Sequence, residues 1–145
     1  MSDRLTPVFL RQLELQEGSF GVHPDHLRGE ARREYIRVNI LAAVAELMEV
    51  LEVFDWKPWA PPHGTFGETK HRRALEELVD VWHFVLNLLL VLGVEPEEFV
   101  TEYFRKADVN ERRQDMRKMK ERGCCQPHPG VNAGCCPSTV RALPS

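Results

Sequence analysis

Two pairs of acidic residues with the same spacing could bind a metal ion. Glu46 and Glu49 form the first pair, Glu77 and Asp80 form the second, and each pair lies within a largely apolar stretch. Residues three positions apart lie on one face of a helix, so each pair predicts an acidic helix face. Carboxylates are costly to bury unless they are paired, protonated or bound to a metal. The alternative is a solvated acidic face, which the apolar surroundings of both pairs disfavour.

The two pairs can meet across one interface if their helices pack antiparallel. Four facing carboxylates would repel one another strongly, and a divalent cation would relieve that repulsion. Mg²⁺ prefers oxygen ligands and keeps water and substrate phosphates in its remaining positions. We therefore predict that Glu46, Glu49, Glu77 and Asp80 hold Mg²⁺, with Mn²⁺ as a second candidate ion.

A later segment carries cationic and polar residues at helical spacing. Lys106, Asn110 and Arg113 are separated by four and three positions, so they share one helix face. A lysine offers phosphate a point charge and an arginine offers it a planar fork. Opposite a metal site, these cations would stabilise the far side of a metal-bound polyphosphate. A charged surface helix is the alternative.

Two further polar residues follow the second acidic pair. His83 and Asn87 continue the face of Asp80 at helical spacing. They are either a wall of a polar ligand pocket or core groups with satisfied hydrogen bonds, and the sequence leaves both interpretations open. Lys57 and Trp59 belong to a Pro- and Gly-rich loop, which predicts a lid or a pocket wall.

Helical periodicity dominates the chain, and no stretch shows the sustained alternation of a strand. Thr6 is predicted to cap the first helix, with Pro7 at its first helical position. Gly93 is predicted to end the third helix. The sequence therefore predicts an all-α fold, a four- to five-helix bundle. The predicted helices cover approximately residues 6–18, 28–54, 69–92 and 95–122.

The chain is predicted to hold one all-α domain at 1–122 and a flexible, disordered Cys/Pro-rich tail at 123–145. The tail contains all the cysteines, as adjacent doublets without helix or hairpin signals. This arrangement favours a free or oxidisable tail over a zinc site completed by His128. The cysteines are Cys124, Cys125, Cys135 and Cys136.

The bulk composition narrows the location and the partners of the protein. The chain has 145 residues and a formal net charge of −3, which does not indicate a nucleic-acid binder. The longest apolar run, around residues 84–94, is too short to span a bilayer. No signal peptide is recognisable at the N-terminus. We predict a cytoplasmic protein with neither a nucleic-acid partner nor a membrane partner.

The order of these motifs resembles the all-α nucleotide pyrophosphohydrolases, the superfamily of the dimeric dUTPases and MazG-like enzymes. The E-x-x-E and E-x-x-D pairs are typical of the superfamily, and the closer likeness is to the dimeric dUTPase family. That likeness includes a K-x-x-x-N-x-x-R-Q signature that begins at Lys106, and it covers most of residues 9–114. The segments that carry it are Leu15-Gln16, 45–59, 75–88 and 103–114.

The resemblance implies a hydrolase that cleaves a deoxynucleoside triphosphate, preferentially dUTP, to the monophosphate and pyrophosphate with Mg²⁺. It implies that the two acidic pairs hold the metal and that Glu49 could act as the general base. Lys57, Lys106 and Arg113 would contact phosphates. The residues implied to line the base and sugar pocket are Gln16, Trp59, His83, Phe84, Asn87 and Asn110.

Two departures from the family pattern bear on assembly and specificity. Only about ten residues separate Leu92 from Tyr103, where dimeric dUTPases usually carry additional helices. The asparagine that follows the first-helix glutamine in the family is missing, and Ser19 and Phe20 occupy that region. A chain this compact is expected to obtain the missing half of the bundle from a second copy. We therefore predict a homodimer or a higher homo-oligomer.

Three alternatives compete with a dUTPase-like enzyme. The first keeps the chemistry but acts on dCTP or on a non-standard nucleotide. The second is a di-metal redox bundle, which Asp80-x-x-His83 resembles, but such bundles need that motif on two helices and the sequence holds no second copy. The third is a non-enzymatic helical interaction module, which gives no reason for acidic residues in two apolar stretches.

Overall fold

The computed structural model describes residues 3–59 and 67–121 and contains four α-helices in these ranges. Helix α1 spans Leu5–Ser19, α2 spans Gly29–Val53, α3 spans Glu68–Leu92 and α4 spans Pro96–Glu121. A 3-10 turn, Pro24–His26, lies between α1 and α2. No strand occurs in the described ranges. The all-α prediction is confirmed, and the predicted helix bounds agree to within about two residues.

The start of α1 differs from the prediction. The helix begins at Leu5, and Asp3 Oδ1 accepts hydrogen bonds from the backbone N–H groups of Leu5 at 3.0 Å and of Thr6 at 3.2 Å. Hydrogen bonds from Thr6, first from its side chain and then from its backbone, lower the pKa of Asp3. The prediction of Thr6 as the cap was wrong, because a carboxylate upstream satisfies the free N–H groups of the first turn.

The end of α3 agrees with the prediction. Gly93 has a φ of +73°, a left-handed conformation that side chains other than glycine rarely adopt. The N–H of Gly93 bonds to the carbonyl of Leu90, and the N–H of Val94 bonds to the carbonyl of Leu89, both at 3.0 Å. These bonds satisfy the last carbonyls of α3 and end the helix.

Helix α3 is the centre of the packing, since it contacts α1, α2 and the 3-10 turn. Leu86 of α3 is 1% exposed, and Val91 is buried on the same helix. Phe9 of α1 and Val53 of α2 are buried as well. The helix with the most contacts to other elements is therefore α3, which packs against α1, α2 and the 3-10 turn.

The chain divides into two units, Met1–Glu102 and Tyr103–Ser145, and α4 crosses the boundary. In the first unit, the ring of Phe99 lies 6.5 Å from that of Phe9 and 6.0 Å from that of Trp82, measured between centroids. The described part of the second unit is the remainder of α4, which contains no buried residue. The predicted boundary at residue 122 stays a prediction, and the predicted cysteine tail lies outside the described residues.

Within the described ranges, no single helix is long and apolar enough to cross a membrane. Helices α3 and α4 meet the length and composition requirement only when taken together as a bent pair.

Candidate functional site

Three of the four predicted metal ligands come together in the structure. Glu46 of α2 and Glu77 and Asp80 of α3 each place a carboxylate oxygen within 4.8 Å of the other two. We refer to these three residues as the acidic cluster. No other such group of metal-ligating side chains occurs in the part of the chain that the structure describes. Two helices distant in sequence therefore bring hard oxygen donors to one point.

The packing of α2 against α3 explains why these carboxylates meet. Asn39 and Glu46 are seven residues apart on α2, as are Asp80 and Asn87 on α3, so each pair is two helical turns apart on one face. Asn87 Nδ2 donates a hydrogen bond to Asn39 Oδ1 at 2.7 Å. Since Asn39 pairs with Asn87 while Glu46 meets Asp80, the two helices are antiparallel, the arrangement in which the two acidic pairs can meet. The amide pair and the acidic cluster thus occupy the same interface, about 10 Å apart along it.

Glu77 is a partly enclosed carboxylate of the acidic cluster. Its side chain is 16% exposed, and its Oε1 lies 3.6 Å from Nε of Arg73, one turn earlier on α3. The side chain of Arg73 is 63% exposed, so this cation reaches the acidic cluster from the solvent side. An exposed ion pair of this kind contributes little to stability. The sequence analysis did not single out Arg73, although its i, i+4 spacing from Glu77 indicates the contact.

Glu46 carries the electrostatic consequence of this arrangement. Removal from water raises the pKa of the Glu46 carboxyl, and the negative charges of Glu49, Asp80 and Glu77 raise it further. Glu49 therefore acts on the acidic cluster electrostatically, although it is exposed and is not one of the three converging ligands. Like charges gathered in this way fit a divalent cation, which would offset their repulsion.

Replacing Glu46 by glutamine is expected to raise the melting temperature of the metal-free protein. A raised pKa means that ionisation of Glu46 is less favourable in the folded state than in the unfolded state, so its charge reduces stability as the pH rises. In chelating buffer the gain should be largest near pH 8 and should shrink as the pH falls towards the ordinary carboxyl range of about 4. Thermal melts of both proteins across this pH range measure the effect. Glu76→Gln, an exposed neighbour on α3, is the control, and a Glu46→Gln protein that melts below wild type at pH 8 would contradict the prediction.

The predicted pocket residues Gln16, His83 and Asn87 belong to one hydrogen-bond network. Gln16 and Asn87 are buried, at 6% and 5% exposure, and His83 is half-buried. His83 Nδ1 lies 2.6 Å from Oε1 of Gln12, and Gln12 Nε2 donates to Asn87 Oδ1 at 2.6 Å. These hydrogen bonds are internal, as the interpretation of satisfied core groups expects, and a role of His83 and Asn87 in ligand binding stays a prediction.

Tyr35 connects Gln16 to this network. Its hydroxyl donates to Gln16 Oε1 at 2.9 Å, and its backbone carbonyl accepts from Asn39 Nδ2 at 2.8 Å. Burial raises the pKa of Tyr35 to about 12, so the hydroxyl keeps the proton that it donates. Every buried side-chain polar atom in the described residues has a hydrogen-bond partner. The buried polar groups of the network therefore all have hydrogen-bond partners, as burial of a polar group requires.

Sequence reasoning missed Gln12, Tyr35 and Asn39. The available signal was periodicity: Gln12 stands four residues before Gln16, and Asn39 stands four residues after Tyr35. Two polar residues four positions apart lie on one face of a helix, and on a partly apolar helix such a pair indicates a polar contact. That signal does not reveal the partners, because the partners lie on other helices.

Lys57 and Trp59 follow the C-terminal end of α2. Lys57 Nζ lies 2.8 Å from Glu52 Oε1 and 5.6 Å from the ring centroid of Trp56. The ring of Trp59 is 6.0 Å from that of Trp56, and Trp59 is 75% exposed. Lys57 is thus held by an acidic residue that a phosphate would have to replace. The rest of the predicted loop, residues 60–66, lies outside the described residues.

The remaining predicted site residues lie on two helices. Phe84 is half-buried on α3, next to His83 in the sequence. Lys106, Asn110 and Arg113 are exposed on the part of α4 that belongs to the second unit. They share a face of α4, as their spacing predicts, and their role in phosphate and sugar binding stays a prediction.

Comparison with known proteins identifies the class of this protein. A family model described as dUTPase matches residues 5–95, which is more than half of the chain. The chain belongs to this family, the dimeric all-α dUTPases, whose members are nucleotide hydrolases. The match includes both acidic pairs, the hydrogen-bond network and Gly93. Searches of curated proteins and of solved structures found no match.

Proposed function

We propose that this protein hydrolyses deoxynucleoside triphosphates, preferentially dUTP, to the monophosphate and pyrophosphate in a Mg²⁺-dependent reaction. One observation carries the proposal: Glu46, Glu77 and Asp80 converge from two helices in a chain of the dUTPase family. Three carboxylates within 4.8 Å repel one another unless a cation joins them, so the cluster is better suited to binding than to stability.

The donor set fits Mg²⁺ or Mn²⁺ because all three ligands are carboxylate oxygens. When bound, the ion would orient the attacking water and neutralise charge on the leaving pyrophosphate. Glu49 completes the proposed ligand set from its position beside Glu46. The raised pKa of Glu46 supports this proposal, because a bound cation favours the ionised form that the neighbouring charges disfavour.

Residues of the chain would carry the remaining steps. Glu49 would accept the proton of the water that opens the anhydride bridge between the α- and β-phosphates, where the water oxygen bonds to phosphorus as the bond from that phosphorus to the bridging oxygen breaks. Lys57, Lys106 and Arg113 would hold the phosphate oxygens through charge-assisted hydrogen bonds. The residues proposed to surround the base and sugar are Gln16, Trp59, His83, Phe84, Asn87 and Asn110.

Pyrophosphate release from a panel of deoxynucleoside triphosphates, with Mg²⁺ and with chelator, tests this function. We expect Mg²⁺-dependent turnover with dUTP as the best substrate. Turnover that favours dCTP or a non-standard nucleotide would keep the chemistry and change the substrate. No turnover of any nucleotide by folded protein with Mg²⁺ would contradict the enzyme proposal and leave a helical interaction module.

We also propose that the protein is a homodimer. In the first unit, α2 exposes a row of apolar side chains at intervals of three or four residues, which is typical of a helix face that packs on another helix. The row consists of Ile40, Leu41, Val44, Leu47, Met48 and Leu51, each 40 to 62% exposed. A cytoplasmic location and the lack of nucleic-acid or membrane partners stay predictions.

Light scattering is expected to give a solution mass of twice the 16.7 kDa of one chain. Leu47→Lys should shift the protein towards monomer, because a lysine in the middle of the row would be buried without a partner. Leu10→Lys on α1, also at an exposed apolar position, is the control. A monomeric wild type, or a Leu47→Lys protein that keeps the full mass, would contradict the proposed interface.

A further inference from the structure

A directed chain of hydrogen bonds leads from a backbone carbonyl to His83. The carbonyl of Tyr35 accepts from Asn39 Nδ2 at 2.8 Å, and Asn39 Oδ1 accepts from Asn87 Nδ2 at 2.7 Å. Asn87 Oδ1 accepts from Gln12 Nε2 at 2.6 Å, and Gln12 Oε1 lies 2.6 Å from His83 Nδ1. We call Asn39, Asn87 and Gln12 the amide relay. It joins α1, α2 and α3, and none of its members had a predicted partner.

The direction of the amide relay follows from its first bond. A backbone carbonyl can only accept, so Asn39 must turn its NH₂ towards Tyr35 and its oxygen towards Asn87. Asn87 must then donate its NH₂ to Asn39, which turns its own oxygen towards Gln12. Gln12 in turn donates its NH₂ and presents its oxygen to His83. An amide oxygen can only accept, so His83 Nδ1 must carry the hydrogen.

Burial holds this direction in place. Gln12 is 2% exposed, and Asn39 and Asn87 are each 5% exposed, so water cannot supply alternative partners. Reversing one amide would set two oxygens or two NH₂ groups against each other, and an unmade buried hydrogen bond costs about 1–3 kcal/mol. Reversing all three amides together would keep the bonds within the relay but would set the oxygen of Asn39 against the carbonyl oxygen of Tyr35, so the observed direction is favoured by that bond.

We propose that the amide relay is a positioning element that fixes His83 in the form with hydrogen on Nδ1, so that Nε2 accepts a hydrogen bond from the nucleotide. In a neutral imidazole, the nitrogen without hydrogen is an acceptor, and the bond made by the other nitrogen decides which one it is. The part of this inference that concerns the nucleotide rests on the proposed function. The part that concerns the tautomer rests on the hydrogen bonds alone.

His83 lies at the edge of a mostly apolar cavity. His83 lines a cavity of about 400 Å³ between α1 and α3, within the size range of small-molecule sites. Gln12 also lines it, but both ends of its amide belong to the relay, and Arg11 is paired with Glu14 at 3.2 Å. The rest of the lining is apolar: Pro7, Val8, Val79, Trp82 and Leu86.

As a hydrogen-bond acceptor, Nε2 favours a ligand that presents an N–H group to it. A uracil ring carries a hydrogen on N3, whereas the N3 of cytosine carries a lone pair. An acceptor opposite N3 would therefore bind uracil and repel cytosine, since two facing lone pairs cannot form a hydrogen bond. The amide relay would thus contribute to base selection through the tautomer of His83.

Nitrogen NMR of the full-length protein tests the tautomer directly. In long-range proton–nitrogen spectra at pH 8 in chelating buffer, protonated and unprotonated ring nitrogens resonate in separate regions. The six histidines can be separated by comparison with His83→Asn, which lacks the signals of His83. We expect a protonated Nδ1 and an unprotonated Nε2 for His83. A wild-type spectrum with hydrogen mainly on Nε2 would overturn the proposal, whatever the variants show.

Two variants assign the effect to the amide relay. Gln12→Met keeps the size of the side chain but removes the acceptor, so His83 should shift towards the form with hydrogen on Nε2. Tyr35→Phe is the matched control, because it removes the hydroxyl bonded to Gln16 and keeps the backbone carbonyl that starts the relay. We expect no change of tautomer in Tyr35→Phe. An unchanged tautomer in a folded Gln12→Met protein would overturn the role of the relay.

Titration with dUMP separates this inference from the proposed enzyme activity. We expect the Nε2 resonance of His83 to move in the direction of hydrogen bonding as dUMP is added, and to move less with dCMP. An Nε2 resonance that stays in place, whether or not dUMP binds, would overturn the role of His83 as acceptor. A protein that shows the tautomer and the dUMP shift but hydrolyses no nucleotide would instead contradict the proposed function.

Discussion

Asp80→Asn is expected to lower the rate of nucleotide hydrolysis at saturating Mg²⁺ by roughly a thousandfold or more. The substitution keeps the shape of the side chain and removes one of the three charges that converge in the acidic cluster. A metal ion contributes several kcal/mol of transition-state stabilisation, and about 4 kcal/mol corresponds to a thousandfold change in rate. Steady-state kinetics of pyrophosphate release with dUTP measure the effect.

Glu76→Gln is the matched control for this substitution. Glu76 lies on the same helix, is exposed, and is not part of the acidic cluster, so its replacement should leave the rate within about twofold of wild type. Circular dichroism should show an unchanged helix content for both variants. An Asp80→Asn protein that retains full activity at saturating Mg²⁺ would contradict the assignment of the acidic cluster as the metal site.

Asn87→Ala is expected to lower the free energy of unfolding by about 2–5 kcal/mol. Asn87 is the middle member of the amide relay, and its removal leaves the NH₂ of Gln12 and the oxygen of Asn39 without their buried partners. Each unsatisfied buried group costs about 1–3 kcal/mol. Denaturant unfolding monitored by circular dichroism measures this loss.

The matched control for Asn87→Ala is Asn110→Ala. Asn110 is the same residue type on an exposed helix position, where alanine is also the better helix former. Its replacement should change stability by less than about 0.5 kcal/mol. If Asn87→Ala were as stable as Asn110→Ala, water or a rearranged side chain would have to satisfy the network, and the amide relay would not hold a fixed direction.

Much of the fold could be predicted from the sequence because its signals are local. The apolar periodicity of α2 and α3 defines two long helices, and Gly93 supplies the left-handed residue that ends α3. The start of α1 was predicted wrongly for a physical reason. Asp3 accepts from the N–H groups of Leu5 and Thr6, so the helix begins before Thr6, and apolar periodicity does not fix the first residue of a helix.

The convergence of the acidic cluster could also be predicted, because antiparallel packing is the simplest way to bring two charged faces together. The amide relay could not be predicted in this way. Its bonds join residues 48 and 75 positions apart, and they depend on the axial register between helices. A shift of one residue along α2 would move Asn39 away from Asn87, and helical spacing alone does not fix that register.

The most direct test of the account is binding of Mn²⁺, followed by electron paramagnetic resonance, in the presence of a dUTP analogue with a nitrogen bridge between the α- and β-phosphates. Wild-type protein should bind the ion, and the double variant Glu77→Gln, Asp80→Asn should lose most of that binding while it keeps its helix content. Equal binding by wild type and the double variant would contradict the claim that the acidic cluster holds the metal. A wild-type protein that binds no Mn²⁺ with the analogue present would contradict it as well.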